Sequence, residues 1–482
     1  MKRRLYVTMA LVALSLCGMA AACAVLQGSR EAVVFTVSTL YGDPAWADGL
    51  AVECRATYLD HPDWTSSLRF HDGQFDASTR YRYWQKGIRY DRIASPPSLE
   101  MHWDFEHPNR ENMRDTGLTR AFLELLDETE PGTEGQNVIR LGDYYEFYPL
   151  QFHLSFPDGS EWHMTQFDSW TLEYRQTEYR PQVIYDRLAE FFRIPVLENE
   201  YLSIGVRKNP DGSMGMTSSG DAASENEAVD EYRPVCSASF AGDAWYFALG
   251  SARSTKGTEM DFSRVPGGYG LYRLPYLPGD GMTAWDDVDE NGLAMAYALD
   301  PETEVLSLDA TADHTRLLLG TREGNGYFLS VIQKDGMELL QKLEIGKTRY
   351  GVGPVHIYQR DHFLVCDFLG RLTVLEEAEG GVYTVPLRSK TTRAELPETE
   401  QMIRLQTPSY QVQDAVCLDW DGKRLATVYY KSHSELHNII RLNQIKFYVY
   451  DKRDRATLIH RDAASGMGIW NETGIPYHGP AP

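Results

Sequence analysis

The chain opens on an uncharged run, Leu5 to Leu26, with Lys2, Arg3 and Arg4 before it and Arg30 and Glu31 as the first charges after it. At ~1.5 Å of rise per residue the run predicts a helix roughly 33 Å long, enough to cross a hydrocarbon core about 30 Å thick. The basic cluster lies on the amino side, so the positive-inside rule predicts a cytoplasmic N-terminus with everything beyond residue 28 outside. Three fates are open to residues 1–28. The length of the run suits an uncleaved signal anchor. Ala20, Ala21 and Ala22 supply the small residues of a cleaved signal peptide. Cys23, directly after them, offers a lipoprotein site, although Ala20 stands where such sites carry a bulky aliphatic residue.

Beyond this segment the period of the pattern shortens. Val33–Leu40, Leu50–Tyr58, Ser66–Phe70 and Arg80–Trp84 read as strands. Helical spacing of apolar residues is confined to Leu118–Leu126 and Val183–Phe192, each followed by a proline, Pro131 or Pro195. Residues 213–231 are small, polar and acidic, which predicts a mobile loop. Residues 389–401 predict a second loop of the same kind.

The second half repeats a grammar. Asp309-Ala310-Thr311-Ala312-Asp313 leads into Arg316–Gly320, then a turn at Gly324-Asn325-Gly326 and a strand Tyr327–Ile332. Gln359-Arg360-Asp361 leads into Phe363–Cys366, then Gly370 and Arg371–Leu375. Asp419-Trp420-Asp421-Gly422-Lys423 leads into Arg424–Tyr430, then Gln444–Tyr450. Asp243 before Trp245–Gly250, with Gly267-Gly268 and Tyr269–Leu274 after it, is a fourth copy with a longer insertion. A polar turn, a buried strand and an alternating strand, repeated in this way, resemble the blade of a WD-type or related seven-bladed β-propeller. That resemblance implies a mainly β fold: an N-terminal transmembrane or signal helix, then a β-propeller-like ectodomain with irregular blades and a few short helices. The Gly-His and Trp-Asp dipeptides of the WD type are missing, and a pair of β-sandwiches is the competing architecture. The expected organisation is 1–28 anchor or signal peptide, 29–134 a β-rich segment, 135–470 the propeller-like domain, and 471–482 a tail.

Charge narrows the partners. Acidic residues number 69 against 47 basic ones, a formal charge of −22, and the three basic residues at positions 2–4 all lie in the anchor. Nucleic acid is excluded as an expected partner, because phosphate neutralisation needs clustered Lys and Arg. The membrane is expected to be met through the N-terminal helix only. Of the 6 cysteines, Cys54, Cys236, Cys366 and Cys417 lie beyond the anchor. They allow three pairings or none, and Cys366 and Cys417 sit in apolar strand contexts that suit unpaired thiols.

Candidate chemistry is sparse. Asp287, Asp289 and Asn291, followed by Gly292, match the first half of a calcium loop, with oxygen ligands at alternate positions. Ala298 stands where such a loop carries its bidentate Glu, so a calcium ion there would draw on Asp286, Asp300 or Glu302, and a solvated acidic turn is the alternative. His433 and His437 are spaced to share a helix face, while His102 and His107 share none. Ser155 to Trp162 resembles the Asp-box hairpin of sialidase-type propellers, with Pro157 in the Asp place and Glu161 in the Thr place; a Pro-Asp-Gly turn explains the same residues. Tyr144, Tyr145, Phe147, Tyr148, Phe152, Trp162 and Trp170 are dense enough to line a groove, and suit strand interiors equally. No Gly-x-Ser-x-Gly elbow, P-loop or dinucleotide fingerprint is present. The expected function is a membrane-tethered, extracytoplasmic, non-enzymatic binding module for a protein or glycan. The alternative is a carbohydrate-active hydrolase or lyase using paired carboxylates.

Overall fold

The computed structural model describes residues 2–31, 34–57, 62–83, 90–94, 97–103, 117–157, 160–168, 173–179, 183–198, 200–221, 234–251, 257–279, 286–347, 355–360, 362–368, 371–388, 415–432, 443–451 and 457–467. Beyond the N-terminal helix α1 (Lys2–Glu31) the protein is mainly β. Its organising unit is an antiparallel meander in which strands pair in chain order. The first runs Pro234–Phe240, Ala244–Ser251, Gly270–Leu277 and then Asp287–Val288 and Ala294–Ala298. The second runs Glu304–Ala310, Arg316–Glu323, Gly326–Gln333 and Glu338–Lys347. The third runs Val355–Gln359, Phe363–Phe368, Arg371–Glu377 and Tyr383–Arg388.

These sheets stand side by side in a propeller-like array. Ser98–Trp103 lies beside Pro234–Phe240, which lies beside Glu304–Ala310, which lies beside Val355–Gln359. A sheet placed between two others is covered on both faces, so its central strand must be apolar on both. Ala244–Ser251 and Phe363–Phe368 are buried along their whole length, as are the first six residues of Arg316–Glu323. That is why these strands read as unbroken apolar runs rather than as alternation. Between the first two meanders lie Val305, Leu308, Leu317, Leu319 and Ile332. Between the second and third lie Leu318, Tyr327, Leu329, Val331, Cys366 and Phe368.

Polar side chains tie each sheet to the next. The Ala310 amide donates to Ser239 Oγ (2.8 Å), and Gln359 Nε2 donates to the Ala310 carbonyl (2.7 Å). Lys334 Nζ reaches back to Asp243 Oδ1 (2.8 Å) and the Ala241 carbonyl (3.1 Å). Arg316 reaches forward to Glu377 Oε1 (2.7 Å) and the Gly381 carbonyl (2.9 Å). Trp420 Nε1 donates to Glu376 Oε1 (2.6 Å). Asp243, Asp313 and Asp421 are the turn aspartates of the repeated grammar. Asp421 Oδ1 accepts the amides of Lys423 (2.9 Å) and Arg424 (2.6 Å), the local bonding that makes Asp a turn residue.

The two ends of the chain meet in one sheet. Ala415–Trp420, Arg424–Ser432, Asn443–Asp451 and Thr457–Met467 form a further meander, and Val34–Gly42 adds as its fifth strand with Val37 opposite Ala464. Arg424 Nη1 then donates to the carbonyls of Asp48 (3.0 Å) and Trp46 (3.2 Å). Ala51–Thr57, Pro62–His71 and Gln74–Tyr83 follow as a three-stranded antiparallel sheet, and they overlap three of the four predicted N-terminal strands.

Two expectations need correction. Residues 214–221, expected in a mobile loop, form a strand on Tyr201–Lys208. Composition misled because an edge strand needs only main-chain pairing, and the turn before it is built locally: Asn209 Nδ2 donates to Ser213 Oγ (2.9 Å), and Gly212 takes φ 84°. Residues 222–231 of that loop, 389–400 of the second, and the 471–482 tail lie outside the described residues. The predicted helix Val183–Phe192 begins instead as a strand, Val183–Tyr185, before α3 (Asp186–Phe191). The β-branched Val183 and Ile184 pair with Leu154 and His153, a tertiary preference that overrides the helical spacing. The predicted helix at 118–126 is α2 (Gly117–Glu128), which packs Leu118, Ala121, Phe122 and Leu125 on Ile139, Leu202, Ile204 and Val206. Lastly, among the described residues no helix is long and apolar enough to cross a membrane.

Glu304 and Arg322 face each other across the second meander, and the Glu304 side chain is 0% exposed. Arg322 Nη2 donates to Glu304 Oε1 (2.6 Å) while Nε lies against Oε2. Removing one partner leaves a buried charge, so Arg322→Met is expected to cost about 3–5 kcal/mol in denaturant unfolding. The double variant with Glu304→Gln should cost clearly less.

Candidate functional site

The acidic turn is built from local bonds. Asp289 is the N-cap of a 3₁₀ turn, Glu290–Gly292, and its Oδ1 accepts the Asn291 amide (3.1 Å). Asp287 Oδ1 accepts the Val288 amide (2.8 Å), and Asp286 Oδ1 accepts Tyr276 OH (2.9 Å) and the Gly279 amide (2.8 Å). The side chain of Asn291 is exposed. Among the described residues no three His, Cys, Asp or Glu are grouped as metal ligands.

The other sequence candidates are dispersed. His102 sits opposite Gln151 in a sheet, while His107, His433 and His437 lie outside the described residues. Residues 158 and 159 of the expected Asp-box turn lie outside the described residues. Among the described residues Leu150–Ser155 and Ser160–Asp168 do not pair with each other; Leu150–Ser155 pairs with Ser98–Trp103 and Ser160–Asp168 with Tyr90–Ala94. The aromatic residues serve the scaffold. Phe152 is fully buried against Phe192 (5.6 Å) and Phe247 (6.2 Å), Tyr148 is buried, Tyr145 OH accepts the Leu118 amide (2.8 Å), and Tyr144 OH donates to Glu124 (2.8 Å). Cys236 and Cys366 are free thiols, and burial pushes the Cys366 thiol up to about 12, with Asp309 and Asp367 adding to the rise. The side chains of Cys54, Cys417, Trp162 and Trp170 lie outside the described residues.

Two places bring chemistry together. The first is the inner edge of the array, where Pro234–Phe240, Glu304–Ala310 and Val355–Gln359 are largely half-buried while the strands behind them are sealed. Asp309 sits there opposite Leu318. Burial raises its carboxyl to about 6, with the His356 imidazole acting against the rise.

The second is a face of the three-stranded sheet Ser98–Trp103, Leu150–Ser155 and Val183–Tyr185. Opposed residues share a face and alternate residues change face. Leu99, Leu150, Phe152 and Leu154 therefore point into the core, where Leu188 and Phe192 join them. The other face carries Ser98 opposite Ser155, Glu100 opposite His153, and His102 opposite Gln151. His153 Nε2 and Gln151 Oε1 are 2.7 Å apart. Ser155 is 4% exposed, and neither its Oγ nor that of Ser98 has a hydrogen-bond partner among the described residues. The signal for this face was legible as strict alternation in Ser98-Leu99-Glu100-Met101-His102-Trp103 and in Gln151 to Ser155, unlike the unbroken runs of the meanders.

No protein-family model matches the chain, and no curated protein matches it in sequence. Solved structures align over much of its length at low similarity. The Cps50 (Swd1) β-propeller domain of Myceliophteria thermophila aligns at 11% identity over 69% of this chain and 86% of its own, with a TM-score of 0.26. The periplasmic gluconolactonase PpgL of Pseudomonas aeruginosa aligns at 9% identity over 68% and 85%, with a TM-score of 0.29. Likeness at this level carries no argument, and the propeller-like description rests on the sheet topology above.

Two outcomes follow. Asp309 has a folded pKa above its unfolded value of about 3.9, so its ionisation destabilises the fold as pH rises through the window from about 4 to about 6. Asp309→Asn removes that penalty and is expected to stabilise the protein by about 2 kcal/mol at pH 8 and by little at pH 4, read by unfolding at both pH values. Asp289→Ala is expected to cost about 1 kcal/mol through loss of the cap, equally with and without calcium. A calcium-dependent rise in Tm that this variant abolishes would instead make the turn an ion site.

Proposed function

We propose that the chain is a membrane-tethered, extracytoplasmic, non-enzymatic binding module that presents a rigid β platform to a protein or glycan partner. The observation that carries the tether is α1: Val12, Leu14, Leu16, Met19 and Val25 are 53, 73, 56, 60 and 72% exposed. Apolar side chains exposed around a helix of 30 residues need a covering medium, and an uncharged run from Leu5 to Leu26 behind a basic cluster suits a bilayer. Retention as a signal anchor or lipidation at Cys23 would tether the body outside, whereas cleavage after Ala22 alone would release it there. The platform reading is supported by sheets that are stitched to one another and by the pairing of Val34–Gly42 with Thr457–Met467.

A hydrolase acting on carbohydrate is the second reading, and Asp309 favours it, since burial raises its carboxyl to about 6, closer to the working range of a general acid than an ordinary aspartate. The experiment is in-cell crosslinking of the full-length protein at native abundance, paired with carbonate extraction of membranes. The expected result is retention in the carbonate-washed membrane and capture of one stoichiometric partner, lost when the residues after 28 are deleted. Release by carbonate would remove the anchor and lipid readings, and absence of any captured partner would move the assignment to the hydrolase.

A further inference from the structure

We propose that Val34–Gly42 pairs antiparallel with the same strand of a second copy, so that two tethered chains share one continuous sheet. This rests on the tether reading and goes beyond it by naming a partner, the chain itself.

The strand is outermost in its five-stranded sheet, and among the described residues it pairs with one neighbour, Thr457–Met467. Its other side presents a row of main-chain N–H and C=O groups, which template the addition of a further strand. Gln74–Tyr83 comes close to it but pairs with Pro62–His71 instead.

Other outermost strands carry features that discourage such pairing. Glu338–Lys347 has Glu338, Lys342, Glu344 and Lys347, and Gln74–Tyr83 has Asp76, Arg80 and Arg82. Tyr383–Arg388 holds Pro386 and Arg388, while Met214–Asp221 is interrupted by Gly215 and Gly220 and ends on Asp221. Val34–Gly42 has no charge and no proline, and Val34, Phe35, Thr36, Val37, Thr39 and Tyr41 are β-branched or aromatic. Its register shift falls between Thr39 and Tyr41, which leaves Val34–Thr39 regular. Two copies with a net charge of −22 each repel over most of their surface. An uncharged strand is a place where they can meet without like charges face to face.

The position of the strand selects a second copy as its occupant. Helix α1 ends at Glu31, and Val34 follows three residues later. From Leu26, five helical residues at ~1.5 Å and three extended ones at ~3.4 Å hold the strand within about 18 Å of the uncharged run. All copies in one bilayer therefore carry it at a similar height. Antiparallel self-pairing is isologous, and a two-fold axis along the membrane normal lets both helices enter the same bilayer. Nine residues span about 30 Å, so the two helices stand no further apart than that. A strand pair is a small interface, and shared tethering supplies the effective concentration that it needs.

The test uses the full-length protein in its native membrane, with Cys17→Ala and Cys23→Ala removing the thiols of α1. Single cysteines at positions 34 to 39 are oxidised in turn. Disulfide-linked products of twice the chain mass are expected, with one maximum along the segment. In the Thr36→Lys/Ser38→Lys variant, dimer extracted in mild detergent should fall at least tenfold, whereas Thr36→Val/Ser38→Val should keep it. No product at any position, equal yield at all six, or a product of another mass would overturn the proposal. So would undiminished dimer in the lysine variant; if that variant fails to fold, the cysteine series alone decides. A monomer retained in carbonate-washed membranes would reject the pairing and leave the tether standing, whereas a protein released by carbonate would reject the tether itself.

Discussion

The fold depends on one constraint: each meander must find a neighbouring sheet for both of its faces. A central strand such as Phe363–Phe368, buried at every position, has no solvent side to offer. It is stable only when sheets flank it on both sides, and radial succession of similar units is one way for a single chain to satisfy this repeatedly. The polar ties follow from the same packing. Lys334, Arg316 and Trp420 each reach a neighbouring sheet near a turn, where the apolar contact ends; Lys334 and Arg316 donate to main-chain carbonyls there and Trp420 to the Glu376 carboxylate. The first strands, at the inner edge of the array, are less fully covered, and there the half-buried Asp309 and His356 are found.

Side-by-side packing leaves one problem, the two outermost sheets of a linear succession, and the pairing of Val34–Gly42 with Thr457–Met467 answers it by bringing the first and last strands into one sheet. This places the N-terminal helix at the seam. On the proposed reading, any load transmitted from a membrane anchor enters the body where its two ends are joined. On that reading the seam would have two tasks, joining the chain's first and last described strands and bearing the tether.

Much of the meander array was legible because burial on both faces writes itself into sequence as an apolar run behind a turn aspartate: Arg316–Glu323 behind Asp313 and Arg424–Ser432 behind Asp421 were both recognisable. The strand 214–221 was hidden because an edge strand needs backbone pairing and no apolar side chains. The Val183–Tyr185 strand was hidden because its helical spacing came from residues that pair with Leu154 and His153 across a long sequence separation. The polar face was half legible. Alternation in 98–103 and 151–155 was visible, but that Ser98 meets Ser155 and Glu100 meets His153 depends on register, which no local pattern reveals. At 286–291 the spacing that suggested an ion also makes a locally bonded turn, in which one oxygen each of Asp286, Asp287 and Asp289 accepts a nearby amide or a tyrosine hydroxyl.

Closure of the array by the chain ends is the central claim, and amide hydrogen exchange on the full-length protein tests it most directly. If the seam is part of the cooperative body, amides in 34–42 and 457–467 should exchange as slowly as those in 244–251, 316–323 and 363–368, with one common dependence on denaturant. Rapid exchange of both seam strands while the central strands stay protected would contradict it, because the meanders would then stand without the pairing that joins the ends.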